Sequence, residues 1–204
     1  RGLGDVYKRQ DTEMKSKVVK RLVQLERSES QIEEIKRKAR ITSLLVQAET
    51  AFNVGDITQA LASYKEVLIL EPQNILAHMN MGNVYQELKL FNEAEKSYLN
   101  ALKANPFYVF GSLGLARLYI FSGQPDKALN ILEDTLTWYD GDDEISLFMG
   151  LAYAFKKDTQ QAIEAFENSL KLNPSSSLAH FYLGVQIQNI DPSSSRRHLQ
   201  AFLR

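Results

Sequence analysis

From Ile41 onward, apolar residues recur at the roughly 3.6-residue spacing of amphipathic helices, in stretches broken by turn formers. The breaks alternate in kind. Gly55-Asp56, Gly123-Gln124-Pro125-Asp126 and Lys157-Asp158 are tight turns between paired helices. Leu70-Glu71-Pro72 and Leu172-Asn173-Pro174 are helix stops, because proline cannot continue a helix and fixes the turn behind it. The pattern predicts an all-α chain of short antiparallel helix pairs.

The pairs repeat with a period of 34 residues. Ala60, Ala94, Ala128 and Ala162 form one column, and Tyr64, Tyr98, Leu132 and Phe166 another. Gly82, Gly150 and Gly184 share a third with Ala48 and Ala116. Pro72, Pro106 and Pro174 make a fourth, where Asp140 substitutes once, and Tyr85, Tyr119 and Tyr153 a fifth. Each column has a physical reading. The small residues let two helices approach closely, and the aromatic column fills the space between them.

These columns resemble the tetratricopeptide repeat, a helix–turn–helix unit of the same length. The resemblance covers residues 41–204 and divides them into units 41–74, 75–108, 109–142 and 143–176, with a shortened unit at 177–204. It implies a right-handed α-α superhelix of about four and a half to five helix pairs, preceded by a leader helix. The last unit keeps Leu183-Gly184 but has Arg196 in place of the small alanine. Asp191-Pro192 starts its final turn, where Ser193, Ser194 or Ser195 is expected to cap a last helix bearing Arg196, Arg197 and Arg204.

Two segments precede the array. Residues 1–10 (RGLGDVYKRQ) resemble a translated library or adaptor artefact and are expected to be a disordered tail. Gly2 and Gly4 do not make a phosphate loop, lacking a preceding strand and a Lys-Ser/Thr ending. Residues 11–40 hold 9 basic and 6 acidic side chains with no Gly or Pro, and read as a charged leader helix. Val18, Leu22, Leu25, Ile32 and Ala39 fall near one stripe that Glu29 and Lys36 break, which argues against a long coiled coil. A solvated helix capping the array is the simpler expectation, ahead of a partner-binding or oligomerising helix.

Composition narrows the chemistry. A formal net charge of -1 over 204 residues asks for neither nucleic acid nor an anionic membrane. Zero cysteines exclude disulfides and thiolate chemistry. His78 and His180 sit three repeats apart at one register position, too far to share a metal, and His198 is expected to stand alone. The acidic run Asp140, Asp142, Asp143, Glu144 reads as a linker with helix N-terminal carboxylates rather than a calcium loop. No catalytic constellation, metal set or cofactor motif stands out, so an enzyme, a cofactor and a small-molecule substrate are not expected. Membrane insertion is not expected either, and cytoplasmic residence is the default expectation.

Binding chemistry therefore comes from what the resemblance implies. In this family the first helix of each pair lines a concave face, through positions two, five, nine, twelve and thirteen of the repeat. Position five is apolar throughout: Leu45, Met79, Leu113, Leu147 and Phe181. Asn83, Arg117 and Leu151 stand at position nine, Phe110 at position two and Phe121 at position thirteen. The two-carboxylate clamp of the family's chaperone-tail receptors is matched only at Asn83, which argues against an acidic C-terminal tail as ligand. The expected partner is another protein, offering an amphipathic helix or an extended apolar segment. Part of the position-five stripe is equally accounted for as packing between neighbouring first helices. The leader is +3 and the array, with 12 basic and 18 acidic residues, is -6, a match that permits Val18–Ile35 to fold back into the groove. Two alternatives stand beside this: a structural subunit of a larger assembly, and the regulatory repeat region of a truncated enzyme.

Overall fold

Ten helices make up the array and its leader, in a computed structural model that describes residues 2–139 and 141–203, with side chains from residue 16 onward. They are α1 (Gly2–Asn53), α2 (Ile57–Leu70), α3 (Ile75–Glu87), α4 (Phe91–Ala104), α5 (Val109–Phe121), α6 (Pro125–Leu136), α7 (Asp143–Phe155), α8 (Thr159–Leu172), α9 (Ser177–Gln186) and α10 (Pro192–Phe202). Asp140 of the proline column and Arg204 of the last helix lie outside the described residues.

Each helix packs on its neighbours in the chain, so the protein is an α-solenoid of five pairs. The odd-numbered helices also touch each other, α1 with α3 and on through α5, α7 and α9. Among the described residues no two even-numbered helices bring their backbones as close together. Closer contact along the odd layer than along the even layer bends the stack. The first helices thus form the concave face.

The columns explain the packing. Ala60, Ala94, Ala128 and Ala162 are all fully buried, so each second helix can sit directly on its neighbours. Tyr64, Tyr98, Leu132 and Phe166 fill the space beside them and are buried too. The rings lie against the small column: a Cβ on Gly150 would come within 2.5 Å of the Phe166 ring.

Local chemistry sets the ends. Asp56, Asn74, Asp142, Asp158 and Ser176 each accept a backbone N–H in the first turn of the helix they precede. The serines expected to cap α10 do not do so. Asp191 is the cap, accepting from the Ser193 and Ser194 amides at 3.1 and 3.0 Å, with Pro192 opening the helix. Hydrogen bonds from the Ser194 and Ser193 side chains, then from the two amides, stabilise the ionised form and hold the Asp191 carboxyl well below the usual carboxylate range. Ser195 instead is buried and donates to the Gly184 carbonyl at 2.7 Å, tying α10 to α9.

The leader is not a separate element. Helix α1 runs unbroken from Gly2 to Asn53, through the segment expected as a tail and into the first helix of unit one. Past Gly4 the sequence up to Asn53 has neither glycine nor proline, so nothing stops a helix propagating from its docked end. Among the described residues no helix is long and apolar enough to cross a membrane.

A concave cavity between the first helices

On the concave face a cavity of about 490 Å³ opens across α3, α5 and α7. Its walls are aromatic: Phe52 from α1, Tyr108 before α5, Phe110 on α5 and Phe148 on α7. Met79, Leu113 and Gly114 also line it, with Asn80, Asn83, Glu87, Arg117 and Glu144 as polar groups.

The polar side is organised around Asn83. Its Oδ1 accepts from Tyr98 Oη at 2.8 Å and from Arg117 Nη2 at 2.9 Å. Tyr98 Oη also lies 3.1 Å from Gln86 Oε1. A second-helix tyrosine thus fixes a first-helix amide, which in turn holds an arginine from the next repeat. Burial raises the Tyr98 hydroxyl above the ordinary tyrosine range, so it stays a donor. Arg117 Nε is buried and has no partner among the described residues. Glu144 is raised above the usual carboxylate range, first by burial and then by Asp142 and Asp143, with Arg117 opposing. A buried donor, amides and carboxylates inside aromatic walls can hold a polar backbone or side chain while burying its apolar neighbours.

The structure sorts the sequence expectations. Met79, Asn83, Phe110, Leu113 and Arg117 meet in this cavity. Met79 and Leu113, however, are only 7% and 4% exposed and belong to the core, as do Leu147 and Leu151. Position five is thus largely packing between first helices. Leu45 is half-buried against the unit-one core, and Phe181 packs on Tyr182 and Phe202 near α10. Phe110 and Phe121 are 61% and 56% exposed, though Phe121 lies outside the cavity. Tyr108, Glu144 and Phe148 were missed. Glu144 holds the same repeat position as Phe110, so that signal was present, whereas Tyr108, just before α5, and Phe148, at position six of its unit, stand outside the positions the resemblance names.

Two further expectations are corrected. Helix α1 is continuous, so Val18–Ile35 cannot turn back into the groove of its own chain. His198 does not stand alone: its Nδ1 lies 2.8 Å from His180 Nδ1. His78 and His180 make the same bond in their own units, each placing Nε2 against a proline-column carbonyl, Pro72 at 3.0 Å and Pro174 at 3.1 Å. Among the described residues no group of three or more His, Cys, Asp or Glu is placed to hold a metal.

The family profile described as TPR repeat matches residues 52–89, and that described as Tetratricopeptide repeat matches residues 75–108 and 144–176. Small glutamine-rich tetratricopeptide repeat-containing protein 2 of Saccharomyces cerevisiae is 27% identical over 135 residues, 66% of this chain and 37% of that protein. BBSome complex member BBS4 of Bos taurus is 26% identical over 141 residues, 69% of this chain and 27% of that protein. The chain therefore spans well under half the length of these curated relatives. Among solved structures, PilF of Pseudomonas aeruginosa superposes with a TM-score of 0.74 at 19% identity, covering 82% of this chain and 77% of that one, a likeness of fold. With the 34-residue columns, the paired helices and these matches, residues 52–108 and 144–176 are tetratricopeptide repeats.

Proposed function

We propose that the chain binds a helical or extended segment of another protein in the concave cavity, anchoring it through apolar side chains. The fold and the relatives support a general role as a protein-interaction scaffold. The observation that carries the finer reading is the lining of the cavity. Phe110 is exposed beside a buried Arg117 Nε that has no partner among the described residues. Exposed aromatic area gains most from a ligand that covers it, and the orphaned donor gains an acceptor from a ligand carbonyl.

The experiment selects binding peptides from a random display library against the full chain, then measures their affinity by fluorescence anisotropy. Phe110→Asp should weaken the selected peptides at least ~10-fold, about 1.4 kcal/mol, while circular dichroism shows unchanged helicity. Selected peptides that bind Phe110→Asp as tightly as the unchanged chain would remove the cavity as the working site. A second reading, a subunit held in a larger assembly through another surface, is supported by the exposed apolar side chains of α1. One of the relatives is itself named as a complex member.

A further inference from the structure

Helix α1 has a face that the array does not use. Its contacts with α2 include Arg37, which donates to the Leu70 carbonyl at 3.0 Å, and Arg40, which pairs with Glu66. Before that point the helix carries seven exposed large apolar side chains, among them Val18, Leu22, Leu25 and Ile32 at 54%, 53%, 46% and 52%. Residues 18–39 of a straight helix extend about 32 Å, three heptads.

The stripe has the spacing of a coiled-coil seam. Val18, Leu25, Ile32 and Ala39 are seven apart, and Leu22, Glu29 and Lys36 fall between them at steps of four and three. In a parallel pair the second set occupies the position where a polar residue fixes register and partner. Two like copies would then bring Glu29 against Glu29 and Lys36 against Lys36 inside the seam. An antiparallel pair of copies, in register, buries Glu29 against Leu25 and Lys36 against Val18 of the second copy, with no opposite charge in the same layer. Either arrangement desolvates charges without neutralising them, which costs more than the apolar contacts around them return. The intrahelical pair of Lys36 with Glu33 is on the surface, with both side chains about two-thirds exposed, so it does not commit Lys36 elsewhere.

We propose that residues 18–39 of α1 form one strand of a parallel two-stranded coiled coil whose other strand belongs to a different protein. That strand is an amphipathic helix with the same four-three apolar spacing, a basic residue opposite Glu29 and an acidic residue opposite Lys36. The two charges reject a second copy and select the complementary helix. This surface is separate from the concave cavity, so the two readings stand or fall independently.

Variants of the full chain test it by sedimentation velocity, because they can supply the complementary strand themselves. The result expected for the unchanged chain is a monomer. Replacing both charges, Glu29→Leu with Lys36→Leu, produces a dimer, and adding Leu25→Asp returns it to monomer. Glu29→Lys alone and Lys36→Glu alone are monomeric, because each then repels itself at both layers. Their equimolar mixture forms a heterodimer at least ~10-fold tighter than either variant's self-association. The proposal is overturned if the mixture associates no more tightly than its components, or if the double-leucine variant stays monomeric. It is also overturned if the unchanged chain dimerises through this helix, shown by loss of the dimer on Leu25→Asp, which would make a second copy the occupant. All substituted positions are exposed on the helix surface, so the fold of the array is unaffected, and circular dichroism verifies it.

Discussion

Gly82 on α3 and Tyr98 on α4 are in direct apposition: a Cβ on Gly82 would stand 2.5 Å from the Tyr98 ring. The same ring presses on Gly114 of α5, where a Cβ would stand 2.9 Å away. Tyr98 is thus wedged among three helices of two units, and its hydroxyl ends on Asn83 at the cavity. Core packing and site geometry are set by one side chain.

Gly82→Ala should therefore destabilise the array, although alanine is the better helix former by about 1 kcal/mol. The ring is fully buried and held at its hydroxyl, so overpacking wins, with a net loss on the order of 1–3 kcal/mol. Equilibrium urea unfolding measures it. Unit one carries Ala48 in the same column as Gly82, so the exclusion belongs to the close approach in the second and fourth units rather than to the period. An unchanged midpoint would mean that the ring shifts freely.

Met79→Asp or Leu113→Asp should unfold or severely loosen the protein, since each puts an unpaired carboxylate into the core, at a cost on the order of 3 kcal/mol or more. Phe110→Asp should stay within about 0.5 kcal/mol, because its side chain is mostly exposed. Thermal melts of the three variants decide the point. Comparable losses in all three would contradict the division between buried floor and exposed wall.

Tyr98→Phe removes one of the two donors that hold Asn83 Oδ1 and leaves Arg117 as the other. The expected cost is about 1 kcal/mol, typical of one buried hydrogen bond. Combining it with Arg117→Ala in a double-mutant cycle should give a non-zero coupling, because both groups share one acceptor. Strict additivity would show that the network is not cooperative.

The last pair should be sensitive to acid. The Pro174 carbonyl accepts from His180 Nε2, which leaves His180 Nδ1 as acceptor for the Nδ1–H of His198. Burial, then His180 and Arg197, hold the His198 imidazole below the ordinary histidine range, with Glu167 opposing. The folded state binds that proton less readily than the unfolded state. This contribution is complete above the ordinary histidine pKa of about 6.5 and is lost as pH falls toward the lower folded value. Hydrogen exchange of α10 should accelerate from about pH 7.5 to about pH 5, beyond the intrinsic trend, and His198→Gln should flatten the difference. The same excess in both proteins would assign it elsewhere.

The sequence by itself determined the period, the helix pairs and the core columns, because a repeat must place the same packing residues at the same step. Ala94, Tyr98 and Gly82 could be assigned from spacing alone for that reason. The resemblance to the repeat family, laid on that register, also implied that Asn83, Phe110 and Arg117 face the concave side. Tertiary structure decided what register cannot express. Neighbouring first helices pack closely enough to bury most of Met79, Leu113 and Leu147, a degree of burial that register alone left open between packing and binding. Tyr108 and Phe148 also line the cavity, from positions that the repeat register does not single out. His180 and His198, 18 residues apart and on different helices, meet only because α10 folds back onto α9. The continuity of α1 across the start of the array follows from the same distinction. A helix propagates until a stop signal ends it, and no glycine or proline stands between Gly4 and Asn53.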